Sequence, residues 1–189
     1  MKSMINLLLK KFRGAKTAIF VCLLIVSKSG FSQLHPVASG SDINFIIHNF
    51  GFKVTGKLDP PQGEIRFNPD SLSISFFHVT IKSTSINTDN NSRDEHLRSE
   101  DYFDVKNYPL ITFASDKILS SGKNNEFEVS GKLTIKNKTK NILIPFTVNK
   151  NGGDYLFTGS FKMDRRDFDV GGGSTISNDL IVEIKVLAR

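Results

Sequence analysis

Four side chains carry the groups most able to bind a polar ligand or move a proton: His48, Arg93, Asp94 and His96. Arg93 and His96 could donate hydrogen bonds to a polar head group. The more ordinary role for Arg93 and Asp94 is to tie a helix to its scaffold, and for His48, just before Asn49-Phe50-Gly51, to be a hydrogen-bonded rim residue. Asp104 is expected to cap or pair near the same helix. Asp94, Glu95, His96 and Asp101 offer metal-ligating atoms without a spacing such as H-E-x-x-H, so no metal is expected. Gly171-Gly172-Gly173 is followed by no Lys-Ser or Lys-Thr and by no predicted helix, and reads as a loop, not a phosphate cradle. Neither a nucleophile elbow nor a set of nucleophile, base and orienter can be assembled, so no catalytic residue, enzyme activity or cofactor is expected.

These residues must be positioned by a folded domain, and the first 32 residues read as an address instead of as part of it. Lys2, Lys10, Lys11, Arg13 and Lys16 precede an apolar run, Ala18 to Val26, that is shorter than the roughly 20 residues needed to span a bilayer. Gly30 and Ser32 are small residues suited to signal cleavage before Gln33. Residues 1–32 are therefore expected to be a cleaved signal peptide, and residues 33–189 one exported domain, periplasmic or secreted. The whole chain has a net charge of +6, but residues 33–189 hold 19 basic and 19 acidic residues. That balance argues against nucleic-acid and anionic-membrane binding, both of which need a concentrated basic surface. The only cysteine, Cys22, lies in the apolar run and is not preceded by the small residues of a lipoprotein signal. The mature domain must then be held by its core, without disulfides or stable membrane insertion.

From about Asp42 onward apolar residues recur at period two in short segments broken by Gly, Asn, Asp and Pro, the pattern of antiparallel strands. Phe45 and Ile47, Ile65 and Phe67, Ile111 and Phe113, and Ile142 to Val148 alternate in this way. Leu72, Ile74 and Phe76 alternate before Val79 and Ile81 appear on the other parity, which suggests a bulge or a strand covered on both faces. About eight strands result, enough for a sandwich or a closed up-and-down barrel. One segment departs from the pattern. Ser92, three residues before Glu95, forms a capping box that predicts a short helical segment near residues 92–104, ended by Tyr108-Pro109.

The stretch SINTDNNSRDEHLRSEDYFDVKNYPLITFAS (Ser85 to Ser115) resembles the central signature of YceI-like proteins: S-I-x-T, a loop, R-D-x-H-L, F-F-D, Y-P and T-F. FIIHNFGFKVTGKL (Phe45 to Leu58), GKLTIKNKTKNILIPF (Gly131 to Phe146) and DRRDFDVGGG (Asp164 to Gly173) resemble further pieces of that pattern in order. Departures include Tyr102 where the family prefers Phe, Leu58 for an aromatic, Asn137 for Gly and Asp169 for Gly. The resemblance implies an all-β, extended eight-stranded antiparallel lipocalin-like barrel with one short helical segment. It implies a tunnel for a polyisoprenoid, isoprenoid-quinone or fatty-acyl lipid.

Residues 33–189 contain 13 Phe and no Trp, which suits such a tunnel and a packed core alike. The expected lining is Phe45, Ile47, Phe67, Phe76, Phe103, Phe113, Phe146, Phe157 and Phe161, with His48, Arg93 and His96 polar at the mouth. Each buried methylene contributes about 0.8 kcal/mol against an association cost of roughly 4–15 kcal/mol, so a long chain is favoured over a short one. The expected function is a non-catalytic carrier of such a lipid, which would be the main partner, with a homodimer also admitted. The rival is a filled barrel acting through its surface as a protein-interaction or stress-response partner in the envelope. A third reading, a hydrolase or isomerase on such lipids, requires acid and base groups inside the tunnel.

Overall fold

The computed structural model describes residues 33–173 and 175–189; the expected signal peptide and Cys22 lie outside the described residues. Nine antiparallel strands form one curled sheet: β1 (Pro36–Asn49), β2 (Phe52–Leu58), β3 (Gln62–Arg66), β4 (Phe76–Lys82), β5 (Leu110–Ser120), β6 (Glu126–Ile135), β7 (Lys138–Asn151), β8 (Asp154–Asp164) and β9 (Ile176–Ala188). Their order is β2-β1-β9-β8-β7-β6-β5-β4-β3. The one α-helix among the described residues, α1 (Asn91–Arg98), lies in the connection from β4 to β5.

Nine strands replace the eight expected, and the reason is Asp59-Pro60-Pro61. β2 pairs with β1 and β3 pairs with β4, so the two run in the same direction on opposite edges of the sheet. They behave as one long stave that changes neighbour at a point where proline offers no ladder donor. Two bridges draw the edges together: Leu34 with Ile65, and Lys57 with Asn87. One ladder is incomplete. β7 and β8 pair only from Phe146↔Gly159 to Asn151↔Asp154, so Lys138–Pro145 of β7 has no backbone partner in β8.

The change of parity predicted near residue 76 is not a bulge. Leu72–Ile74 is a 3-10 turn and the strand begins only at Phe76, so Phe77, Val79 and Ile81 form one inward row. Strand β1 starts earlier than the alternation predicts because it bends: its register with β9 shifts between Val37 and Asp42. There the Ser41 hydroxyl accepts from the Leu187 amide at 3.0 Å and donates to the Val37 carbonyl at 2.6 Å.

The core has two parts. At the end where β3 finishes and β6 and β8 begin, Phe67 is 6% exposed and its ring lies 5.1 to 6.4 Å from those of Phe77, Phe127, Phe146, Tyr155 and Phe157. Edge-to-face geometry dominates these contacts, the arrangement aromatic quadrupoles prefer. At the other end, Tyr102, Ile111, Leu133, Ile135, Phe168 and Val170 form a second cluster beneath α1 and the connection from β8 to β9.

Candidate functional site

Between the two clusters lies a cavity of about 850 Å³, toward the upper end of the roughly 300–1,000 Å³ common for small-molecule sites. Its wall is the inward row of the strands, and strand alternation decides which residues reach it. Phe45, Ile47, Val79, Ile81, Phe113, Ile142, Ile144, Phe161, Val182 and Ile184 are all on it. Many of these are only half-buried, because their exposed surface faces the hollow and not the outside. Gly56 shows how the wall makes room. It lies opposite Phe45 in the ladder, and a Cβ there would come 2.2 Å from the Phe45 ring; without one, the ring lies flat against the neighbouring strand.

Of the tunnel residues expected from sequence, Phe45, Ile47, Phe103, Phe113, Phe146, Phe157 and Phe161 lie on the cavity wall. Phe67 does not: it follows β3 and enters the aromatic cluster that fills the far end. Phe76 is also off the wall. Being on the opposite parity from Phe77, it packs beside the His78 ring at 4.8 Å with the Arg66 guanidinium 5.2 Å above it. His48 is off the wall as well, exposed and paired with Lys53, because Ile47 takes the inward position.

At the helix end the wall becomes polar, with Asn49, Thr88, Asn90, Ser92, Arg93, His96, Tyr102, Arg165 and Thr175. Among the described residues no Asp or Glu lines the cavity, and no group of His, Cys, Asp and Glu is placed to hold a metal. The helix is capped by Asn90, whose side chain accepts from the Arg93 amide at 3.0 Å, so the cap sits two residues before the Ser92 expected. Helix geometry ends at Arg98, and turns carry the chain on through Asn107.

A buried network docks α1. Asp94 accepts from the Thr88 amide at 2.9 Å and the Thr88 hydroxyl at 2.5 Å. Arg93 donates through Nε to the Thr88 hydroxyl at 2.7 Å and through Nη2 to the Thr88 carbonyl at 2.8 Å. Arg98 holds the Thr84 and Ile86 carbonyls at 2.9 and 2.6 Å. Arg93 therefore both ties the helix down and reaches the cavity wall. Asp104, buried and in the left-handed region, pairs with the Asn107 side-chain amide at 3.0 Å.

Two residues at this end were not singled out by sequence reasoning. Arg165 is 5% exposed and donates to the carbonyls of Val170, Gly172, Ile176 and Ser177 at 2.6 to 3.3 Å. Burial, and then neighbouring Arg166, lower its pKa from the ordinary value, with Tyr102 and Asp164 acting in the opposite direction; a guanidinium remains protonated regardless. Its place in the DRRDFDVGGG stretch that resembles the family pattern was the available signal. Tyr102 is 8% exposed, with its ring against His96 at 4.8 Å. At Gly171 a Cβ would lie 2.7 Å from the Tyr102 ring and 2.8 Å from the Arg165 guanidinium, and φ is +72°, so only glycine fits this closure. The Tyr102 hydroxyl hydrogen-bonds to no described residue, although Tyr102 borders the cavity.

The comparisons with known proteins agree with this architecture. Residues 34–188 match the family model of the YceI-like domain. A UPF0312 protein of Vibrio parahaemolyticus is 29% identical over 176 residues, 88% of this chain and 93% of the relative. One from Pseudomonas syringae pv. tomato is 30% identical over 149 residues, covering 75% and 77%. Among solved structures, BcnA of Burkholderia cenocepacia superposes with a TM-score of 0.77 at 26% identity, covering 82% of this chain and 99% of that one. A polyisoprenoid-binding domain from Saccharophagus degradans has the same fold, with a TM-score of 0.67 at 16% identity over 82% and 97% of the two chains. A curled antiparallel sheet around an apolar hollow, roofed by the helix of the R-D-x-H-L segment and matched along nearly all its described length, places this chain in the YceI-like family.

Proposed function

We propose that this protein is an exported, non-catalytic carrier of one long apolar lipid of the polyisoprenoid, isoprenoid-quinone or fatty-acyl type. The observation that carries this reading is the cavity of about 850 Å³ whose wall is mostly apolar, with its charged side chains, Arg93 and Arg165, at the helix end. A void that size lined by hydrocarbon forfeits the contacts that make cores stable, and an alkyl or prenyl chain restores them. At about 0.8 kcal/mol per buried methylene, a chain of some fifteen carbons supplies on the order of 12 kcal/mol, enough to meet the cost of association. The S. degradans domain, described as polyisoprenoid-binding, supports the ligand class. The basic residues and apolar run ahead of Gln33 support export, and the mostly apolar wall, with no carboxylate among the described residues that line it, supports binding over turnover.

The ligand's polar end belongs beside Tyr102, Arg93 and His96. With donors and no acidic side chain lining that end, an acceptor oxygen fits there and an ammonium group does not. Mass spectrometry of an organic extract of the purified protein is the direct test. A stoichiometric long-chain lipid is the expected result. Its absence after purification without detergent, together with failure to take up any added long-chain lipid, would overturn the carrier reading. In Val182→Trp, which fills the hollow, lipid content should fall at least about tenfold while the protein still melts cooperatively.

A further inference from the structure

Phe50 and Phe52 are 71% and 76% exposed, and neither joins the core clusters or the cavity wall. Phe50 and Gly51 are the central residues of the two-residue turn between β1 and β2, with φ of +50° and +81°. Positive φ at both positions is the turn that suits hairpin twist and that Asn-Gly fills best, whereas a bulky side chain is disfavoured in the left-handed region. Backbone preference and burial thus both argue against a phenylalanine at the tip. Contact with something outside the chain accounts for it.

The tip stands at the mouth of the cavity. Asn49, just before the turn, and Val54, just after it, line the cavity. The Phe50 amide donates to the Thr175 carbonyl at 3.2 Å, and the Thr175 hydroxyl donates to Asn49 Oδ1 at 2.8 Å. The hairpin from Ile43 to Leu58 carries His48, Lys53 and Lys57 and no acidic residue. Lys57 reaches Asp89 only at 3.9 Å, both side chains being exposed.

We propose that Phe50 and Phe52 dock this mouth onto an anionic phospholipid bilayer, so that the lipid passes between bilayer and cavity without crossing water. The proposal rests on the carrier reading. A long apolar chain has almost no dissolved population to bind, and a carrier that meets it in the bilayer avoids that barrier. Aromatic rings settle at the membrane interface, and Lys53, next to Phe52 and opposite His48, is a local cation drawn to anionic headgroups although charge over residues 33–189 balances. A second protein copy is a poorer occupant: the four rings of a symmetric pair, each of roughly 150–250 Å² and only 71% or 76% exposed, stay below the roughly 1,000 Å² total of a specific interface.

The test compares the purified wild type with the double variant Phe50→Asn/Phe52→Ser in flotation with vesicles of phosphatidylethanolamine and phosphatidylglycerol, and of phosphatidylcholine alone. Expected are binding to the anionic vesicles, at least about a tenfold loss of it in the variant, and no loss of thermal stability, since Asn suits the turn. Uptake of parinaric acid added from ethanol should be equal in both proteins, as neither residue lines the cavity. Failure of the wild type to float, equal flotation of the variant, or Phe50-dependent self-association on size exclusion instead of vesicle binding would each overturn the docking proposal. Failure of the wild type to take up the probe while it still floats would overturn the carrier reading and, with it, the transfer role.

Discussion

The two ends of the barrel are built from the same alternating pattern and end up in opposite states. At the Phe67 end, rings from β4, β6, β7 and β8 close on one phenylalanine that arrives after β3 has ended. At the helix end, wall residues of the same kind, Phe45, Phe113 and Phe161, face an open volume. Inward rows of large apolar residues fix the girth of such a barrel without deciding whether its centre is full. What decides is whether a side chain enters along the axis from a connection. Phe67 does so at one end; at the other, α1 lies across the opening and is held at its margin by Thr88, Asp94 and Arg98.

The sharpest way to break the comparison is Phe67→Ala. Losing a ring that touches five others should cost about 3–5 kcal/mol, lowering the melting midpoint by roughly 10 °C for a domain of this size. It should also let the cavity accept a longer chain. A loss below about 1 kcal/mol in denaturant titration would mean that Phe67 is not what fills that end. At the helix end, Asp94→Ala takes the acceptor from the Thr88 amide and from the Thr88 hydroxyl proton in a buried site, at a cost of about 1–3 kcal/mol. The effect should be local: hydrogen exchange should speed up through residues 84–104 and stay unchanged around Phe67 and Phe127. Uniform acceleration would show that the two ends unfold as one. The smallest effect is expected for Tyr102→Phe. Stability should hold, because the hydroxyl has no hydrogen-bond partner among the described residues, while affinity for a lipid with an oxygen head group should fall about three- to tenfold relative to a hydrocarbon of equal length. Competition against a bound fluorescent lipid measures this, and equal weakening for both ligands would remove Tyr102 from the polar end.

Much of the fold was legible because period two is imposed by the backbone itself: wherever a strand is regular, parity assigned the face, as for Phe45, Ile47, Phe113 and Phe161. Reading failed where the chain leaves the ladder. LSISFF alternates, yet its first half is a 3-10 turn; FKVTGKL and QGEIR look like successive strands, yet they serve opposite edges of one sheet. Phe67 continues the alternation of Ile65 but lies beyond the last paired residue, Arg66, so its direction is set by packing, which no local pattern encodes. The helix was legible from the capping box of Ser92 and Glu95, but the structure caps it two residues earlier, with Asn90. Arg165 was hidden for a further reason. A charged residue beside a second arginine reads as surface, and only the return of the loop after Phe168 supplies the carbonyls that make its burial affordable.

The missing rungs between β7 and β8 bear on how the wall yields. Along that slit no amide ladder joins the staves; at its end Lys140 and Lys138 of β7 meet Asp167 and Asp169 of the β8–β9 connection at 3.0 and 3.1 Å. Exposed ion pairs are weak and screened by salt, so this is the stretch of circumference that widens at least cost. A cask with one stave free near the rim can swell to fit a branched or kinked guest, and added salt, by screening these two pairs, should ease that swelling slightly.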